Sequence, residues 1–343
     1  MNPVPGEHTH AASYTANRYP QAAGYPGQPM SASTDRTDER TIREPGPLFR
    51  WLFFPTVLGG SFALAHALQT HGQAPSSVIG LASLAAIAVT ALCERLYPHQ
   101  REWNRSREDI ATDIAHNLIT SYGLRELAKL ALTAALAPLV ASLAAAQEFT
   151  PWPHGWPFAM QVVLAAVLSE FGTYWMHRIA HEREFFWRFH SVHHSPGRLY
   201  WLNAGRDHPI GMCLDYACGA LPLILAGAPT EVIVYFYVFE AVMGLVQHAN
   251  VRHDMGWLDY LFSGARLHRW HHSDLLAEAN SNYGSSLIVW DLVFGSYFAP
   301  AGRPMGPQRI GLAEMRSFPQ RFLASWAVPL RWAAIKRANS LPS

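Results

Sequence analysis

Three histidines, His190, His193 and His194, fall within five residues of "RFHSVHHSP" (188–196), and "LHRWHHS" (267–273) repeats their spacing with His268, His271 and His272. Residues three and four apart share a helix face, so each triplet directs its imidazoles toward one point. His177 and His181, at i and i+4, form a third convergent group. Eleven of the 18 histidines lie between His177 and His272, which marks that stretch as the chemical centre of the chain. One structural zinc takes four ligands and a catalytic zinc three, whereas eight imidazoles suffice for two metals with positions left open. A pair of haems would use one histidine from each of two helices and leave the neighbours His193–His194 and His271–His272 unexplained. Imidazole suits iron, copper and zinc alike, so spacing leaves the metal open. His8, His10, His66, His71, His99, His116 and His154 stand alone and read as structural or exposed.

The elements that must position these groups are apolar. The 343 residues are 50% hydrophobic and 15% charged, with 12 Trp; a soluble domain usually carries about a quarter charged residues. Six apolar runs (51–68, 76–93, 130–146, 157–176, 209–227 and 232–247) contain three acidic residues in all, Glu170, Asp215 and Glu240. Each run is near the ~20 residues of a bilayer-spanning helix. The expected fold is therefore an all-α, polytopic membrane bundle. Arg95, Arg101, Arg105 and Arg107 fill one loop and Arg178, Arg183, Arg188, Arg198 and Arg206 another, whereas loops 69–75 and 147–156 have no Lys or Arg. Basic loops stay in the cytoplasm, which places every histidine motif on the cytoplasmic side, with 209–247 a hairpin that starts and ends there.

Residues 1–45 are polar and rich in Pro, Gly, Ser and Thr, a disordered tail by composition, and no apolar stretch of a cleaved signal follows Met1. The membrane domain is expected over 46–310. Residues 311–343, with Phe, Leu and Trp among Arg and Lys, read as an interfacial amphipathic segment. A net charge of +1 offers no field for nucleic acid, and Cys93, Cys213 and Cys218 form no CxxC pair. Two metals beside a bilayer suit the activation of O₂ against an unactivated C–H bond, and iron is the metal for that chemistry. The rival readings are a membrane metal-binding or transport protein and a two-zinc hydrolase.

"YWMHRIAHEREFFWRFHSVHHSP" (174–196), "RDHP" (206–209), "QHAN" (247–250), "LHRWHHS" (267–273) and "NYGSSLIVWDLVFGSYF" (282–298) together resemble the fatty acid hydroxylase/sterol desaturase superfamily. "ERLYPHQREWNRSREDIATDIAHN" (94–117) is similar to its bacterial-type members. The resemblance runs from about residue 90 to 300. It implies a non-haem di-iron centre at the cytoplasmic membrane face that uses O₂ and two electrons to hydroxylate or desaturate a lipid. It implies His177, His181, His190, His193, His194, His268, His271 and His272 as iron ligands. His208 and His248, at the two ends of the 209–247 hairpin and matching family histidines, are expected to complete the set, and His253 is not. Glu170, two helical turns before His177, and Asp215 and Glu240, costly inside apolar runs, are candidates to orient the ligands. Nothing in the chain binds NAD(P)H, flavin or haem recognisably, so electrons are expected from a separate reductase, ferredoxin-like protein or haem carrier. Arg183, Arg188, Arg198, Arg206 and Arg269 are the expected docking surface for such an acidic partner.

Overall fold

A computed structural model describes residues 44–145, 151–300, 306–307 and 309–340. The polar tail lies outside these residues except for its last two. Among the described residues the chain is helical, with isolated β-bridges such as Pro98 to Val251 and no extended strand.

The first two apolar runs form a hairpin, α1 (Pro47–Thr70) and α2 (Pro75–Leu96). Each begins on a proline, whose missing N–H is one that a first helical turn leaves unpaired anyway. A short helix α3 (Ile110–Ala115) continues through a wider turn at His116–Leu124 into α4 (Arg125–Ala145), which takes up the 130–146 run. Helix α5 (Phe158–Glu182) ends one residue before α6 (Glu184–His194). The second hairpin is α7 (Pro209–Ala226) and α8 (Thr230–His248), joined through Gly227 in the left-handed conformation (φ 73°) that a helix end favours. Among the described residues, five helices, α1, α2, α5, α7 and α8, are long and apolar enough to cross a membrane. The remaining α-helices are α9 (Ala265–His271), α10 (Leu276–Ala279), α11 (Val289–Phe294), α12 (Phe322–Trp326) and α13 (Val328–Ala338).

Chain direction alternates, so the helix ends sort into two levels. At one end, the Asp254 N–H donates to Arg50 O (3.0 Å), Arg252 N–H to Tyr97 O (2.9 Å) and His99 N–H to Asn250 O (2.9 Å). These bonds tie the start of α1 and the end of α2 to the exit of α8. At the other end, Tyr235 of α8 meets His66 of α1 (3.3 Å) and Phe158 of α5 (ring centroids 5.1 Å). Between the levels, Phe53, Phe54, Val57, Phe236, Phe239, Val242, Met243 and Val246 form the main buried cluster.

Helices α5 and α7 are packed backbone to backbone. A Cβ on Gly172 would sit 2.0 Å from Cys218 O, and one on Gly219 2.8 Å from Ser169 Oγ. Small residues of this kind let membrane helices approach closely. Because α5 carries His177 and His181, this seam fixes the depth of two imidazoles.

Candidate metal centre

The end of α5, the whole of α6, the last turn of α8 and all of α9 meet at one level. There, nine histidines gather in two groups, each with its ring nitrogens within 4.8 Å of one another. The first comprises His177, His181, His190, His194 and His271; the second, His193, His248, His268 and His272. Helices α6 and α9 serve both, because adjacent residues on a helix diverge by about 100°. His193 and His194 therefore face different groups, as do His271 and His272. The groups adjoin: the rings of His194 and His272 stack at 4.3 Å. His181 is half-buried and the other eight are buried.

The second nitrogen of most rings is held. Nδ1 of His177 donates to Tyr283 O (2.6 Å), His271 to Ser281 O (2.8 Å), His193 to Arg206 O (3.1 Å) and His248 to Gly244 O (3.1 Å). His181 Nδ1 pairs with Asn280 Oδ1 (3.2 Å). A ring that donates through Nδ1 carries its proton there, so a neutral ring has a bare lone pair on Nε2. Burial, ahead of the neighbouring charges, holds His190, His194, His268, His271 and His272 well below the usual imidazole range, and His193 at about 4. The rings are thus neutral near pH 7, and their Nε2 atoms face one another: His177 to His190 at 2.9 Å, His194 to His271 at 3.1 Å, His272 to His268 at 3.0 Å. Converging lone pairs repel unless a cation lies between them. An all-imidazole set of five and four, with outer acceptors on the far nitrogens of His177, His181, His193, His248 and His271, fits two transition-metal ions.

One loop does much of the bracing. Asn280, Ser281 and Tyr283 supply the acceptors for three of the five rings in the first group. The loop is in turn fixed by two carboxylates. Glu170 accepts the N–H groups of Ser285 (2.5 Å), Ser286 (2.9 Å) and Leu287 (3.0 Å), and Asp291 accepts those of Tyr283 and Gly284, both at 2.8 Å. Asn282 takes the left-handed conformation (φ 51°), and its amide bonds Leu267 O and Phe298 O. Gly284 admits no side chain, since a Cβ would lie 2.2 Å from Leu287 O. Sequence reasoning assigned no role to Asn280, Ser281 or Tyr283; two of the three act through backbone carbonyls, which leave no residue-type signal.

The 94–117 segment clamps the loop between α6 and α7. Glu94 accepts the N–H groups of Trp201 (2.7 Å) and Asn250 (2.9 Å). Asp109 receives both Nε and Nη2 of Arg198 at 2.7 Å, and Asp113 receives Nε of Arg206 (2.5 Å) and the Tyr200 hydroxyl (2.6 Å). Arg206, held in this way, presents the carbonyl that orients His193.

Several expectations change. His208 does not join either group: its Nδ1 accepts the Ile210 N–H (3.1 Å), capping α7, and its Nε2 lies 3.1 Å from Trp326 O. Both ring nitrogens are engaged elsewhere. Glu170 does not touch His177 and acts instead on the loop whose carbonyl does. Asp215 and Glu240 hydrogen-bond none of the nine histidines; the charged neighbours of Glu240 include Arg125 and Lys129 on α4 and Glu170 on α5, and that of Asp215 is Asp207. His253 stays outside, its ring 4.9 Å from Phe53. The expected arginine surface loses three of its five members. Arg198, Arg206 and Arg269 are buried, at 1%, 1% and 4% exposure, and cannot meet a partner protein.

A sequence model of fatty acid hydroxylases matches residues 162–296. Among curated proteins, the ornithine lipid hydroxylase of Rhizobium tropici is 41% identical over 247 residues, covering 72% of this chain and 73% of that one. The alkylglycerol monooxygenase of Danio rerio is 28% identical over 186 residues, 52% of this chain and 40% of that protein. A very-long-chain aldehyde decarbonylase of Oryza sativa is 29% identical over 149 residues, 43% of this chain and 55% of that protein. No solved structure matches.

Proposed function

This chain belongs to the fatty acid hydroxylase family, and from that premise we propose that it is a multi-pass membrane monooxygenase that hydroxylates a membrane lipid with two iron ions and O₂. The observation that carries the reading is the pair of adjoining imidazole groups, five and four, at one end of a bundle of apolar helices. Two bound iron ions would supply the activation of O₂ and the attack on a C–H bond. Our reading assigns His177, His181, His190, His194 and His271 to one ion and His193, His248, His268 and His272 to the other. The chain's own contribution is to keep these rings neutral, fix the tautomers of five of them through Nδ1 acceptors, and wall eight of them from water. A metal-transport reading would distribute histidines along a path through the spans. Here they gather at one level and are locked from behind, which favours a retained centre. We place that centre at the cytoplasmic face, where the basic loops lie.

The substrate we infer is a polar membrane lipid, and hydroxylation is preferred over desaturation because the 41% relative is named as a hydroxylase. The test is expression in a bacterial host, with lipid extracts compared by mass spectrometry against the His271→Ala variant. Amino-acid-headed lipids are the first class to inspect. A lipid that gains one oxygen only with the intact protein is the expected result; loss of two hydrogens would mean desaturation, and no change in any lipid class across supplied substrates would sink the proposal.

A further inference from the structure

The nine-histidine centre is closed on nearly every side. Its opening is at His181, the one half-buried member, and the side chains at that opening are specific. The indole of Trp187 lies 5.0 Å from the His181 ring, 5.4 Å from His194 and 6.2 Å from His190. One conjugated ring thus touches three imidazoles of the first group. Trp187 is half-buried, and exposed Arg183 lies one helical turn before it at the start of α6.

Behind Trp187, the C-terminal helices form a platform. Val192, Phe318, Val328, Trp332 and Ile335 make a separate buried cluster against which Trp187 packs. Trp332 Nε1 donates to Glu184 Oε1 (3.1 Å) and Lys336 Nζ to Glu184 Oε2 (3.0 Å), fastening α13 to the first turn of α6. The exposed rim of this platform is cationic: Arg183, Arg316, Arg331 and Arg337 are exposed, with Lys336 partly so, against Glu182, Glu184 and Glu314. Glu182 is already paired with Arg178 (2.8 Å), and Glu184 with Arg188 and Lys336. Arg316, Arg331 and Arg337 have no acidic partner among the described residues.

We propose that this α6–α13 face is the docking surface for an acidic one-electron carrier protein, and that Trp187 carries its electron to the metal centre through His181 and His194. The proposal rests on the oxygenase reading. Hydroxylation consumes one O₂, two electrons and two protons per C–H bond; one oxygen atom enters the lipid as a hydroxyl and the other leaves as water. Two reduced carriers, of iron–sulfur or haem type, each deliver one electron and depart oxidised. Electron transfer favours the shortest chain of packed groups, and a conjugated ring in contact with the ligands shortens it. The unpaired arginines attract an acidic carrier and hold it over the indole edge.

The experiment uses the full-length, iron-loaded protein in detergent micelles. Reduced plant-type ferredoxin is the acidic carrier probe and dithionite the small reductant. Oxidation of the carrier is followed by stopped-flow absorbance, and iron content by elemental analysis. Trp187→Leu is expected to keep its iron and its reduction by dithionite while losing most of the carrier-driven rate. Arg316→Glu/Arg337→Glu, at residues that bond none of the nine histidines, is expected to lower the carrier association rate about tenfold at low salt and to flatten its salt dependence. Carrier-driven rates equal to wild type in both proteins would overturn the port while leaving the oxygenase reading intact. An iron centre that dithionite cannot reduce, in the wild type, would instead overturn the reading on which the port rests.

Discussion

At the scale of single residues, position along a helix and direction around it are separate quantities. The spacing of the boxes encodes both, because i, i+3 and i+4 positions share a face, and so eight convergent histidines are legible without a structure. For His208 and His248 the hairpin argument supplies only depth, and both do lie at the level of the boxes. Direction separates them. His248 closes α8 with its Nε2 3.2 Å from that of His268, whereas His208 precedes α7 and turns its ring back to cap that helix. His248→Ala should therefore cost the second group its ion, and His208→Ala should leave metal content near two ions and cost only a helix cap of about 1 kcal/mol. Elemental analysis of both purified variants checks this; loss of metal in His208→Ala, or full occupancy in His248→Ala, would reverse the assignment.

At the scale of elements, the segment from Asn280 to Leu287 is the least legible and among the most consequential. "NYGSSLIVWDLVFGSYF" is recognisable as a pattern, but its work is done by amides and carbonyls that every residue possesses. Only its fixed points show in side chains: Gly284, which leaves room for Leu287 O, and the carboxylates of Glu170 and Asp291. Glu170, an acid inside an apolar run, contacts the 285–287 amides and not a histidine ring. Its Oε atoms meet three backbone donors, so Glu170→Gln replaces one acceptor oxygen by a donor NH₂ that opposes an N–H. The loop should then loosen, and the first metal group with it, at about the 10–100-fold cost in affinity seen when outer-shell partners are removed. A ferrous-ion titration should show one of two binding steps weakened and the other unchanged; equal weakening of both would argue for general unfolding.

At the scale of the whole molecule, alternation of the helices sorts every loop to one of two sides, and the Arg-rich loops all fall at the histidine end. Topology of this kind is legible in charge and hydropathy alone: all six apolar runs lie in helices, the 130–146 run in α4. The C-terminal segment, expected from its composition to be interfacial, packs on α6, a tertiary contact that composition cannot specify. In a background without Cys93, Cys213 and Cys218, a membrane-impermeant maleimide applied to intact cells should label Gly155→Cys and not Arg105→Cys; labelling of Arg105→Cys alone would invert the orientation. The long reach from His177 to the carbonyl of Tyr283, a separation of 106 residues, has a consequence for how the protein is made. When α5 leaves the ribosome, its two histidines have neither the remaining ligands nor the acceptors that set their tautomers. Both arrive only once translation has passed the third box and the loop behind it. The first group therefore cannot be complete during insertion of the early helices, and a ribosome stalled before residue 280 would hold a membrane-inserted chain in which His177, His181 and His271 still lack the acceptors that set their tautomers.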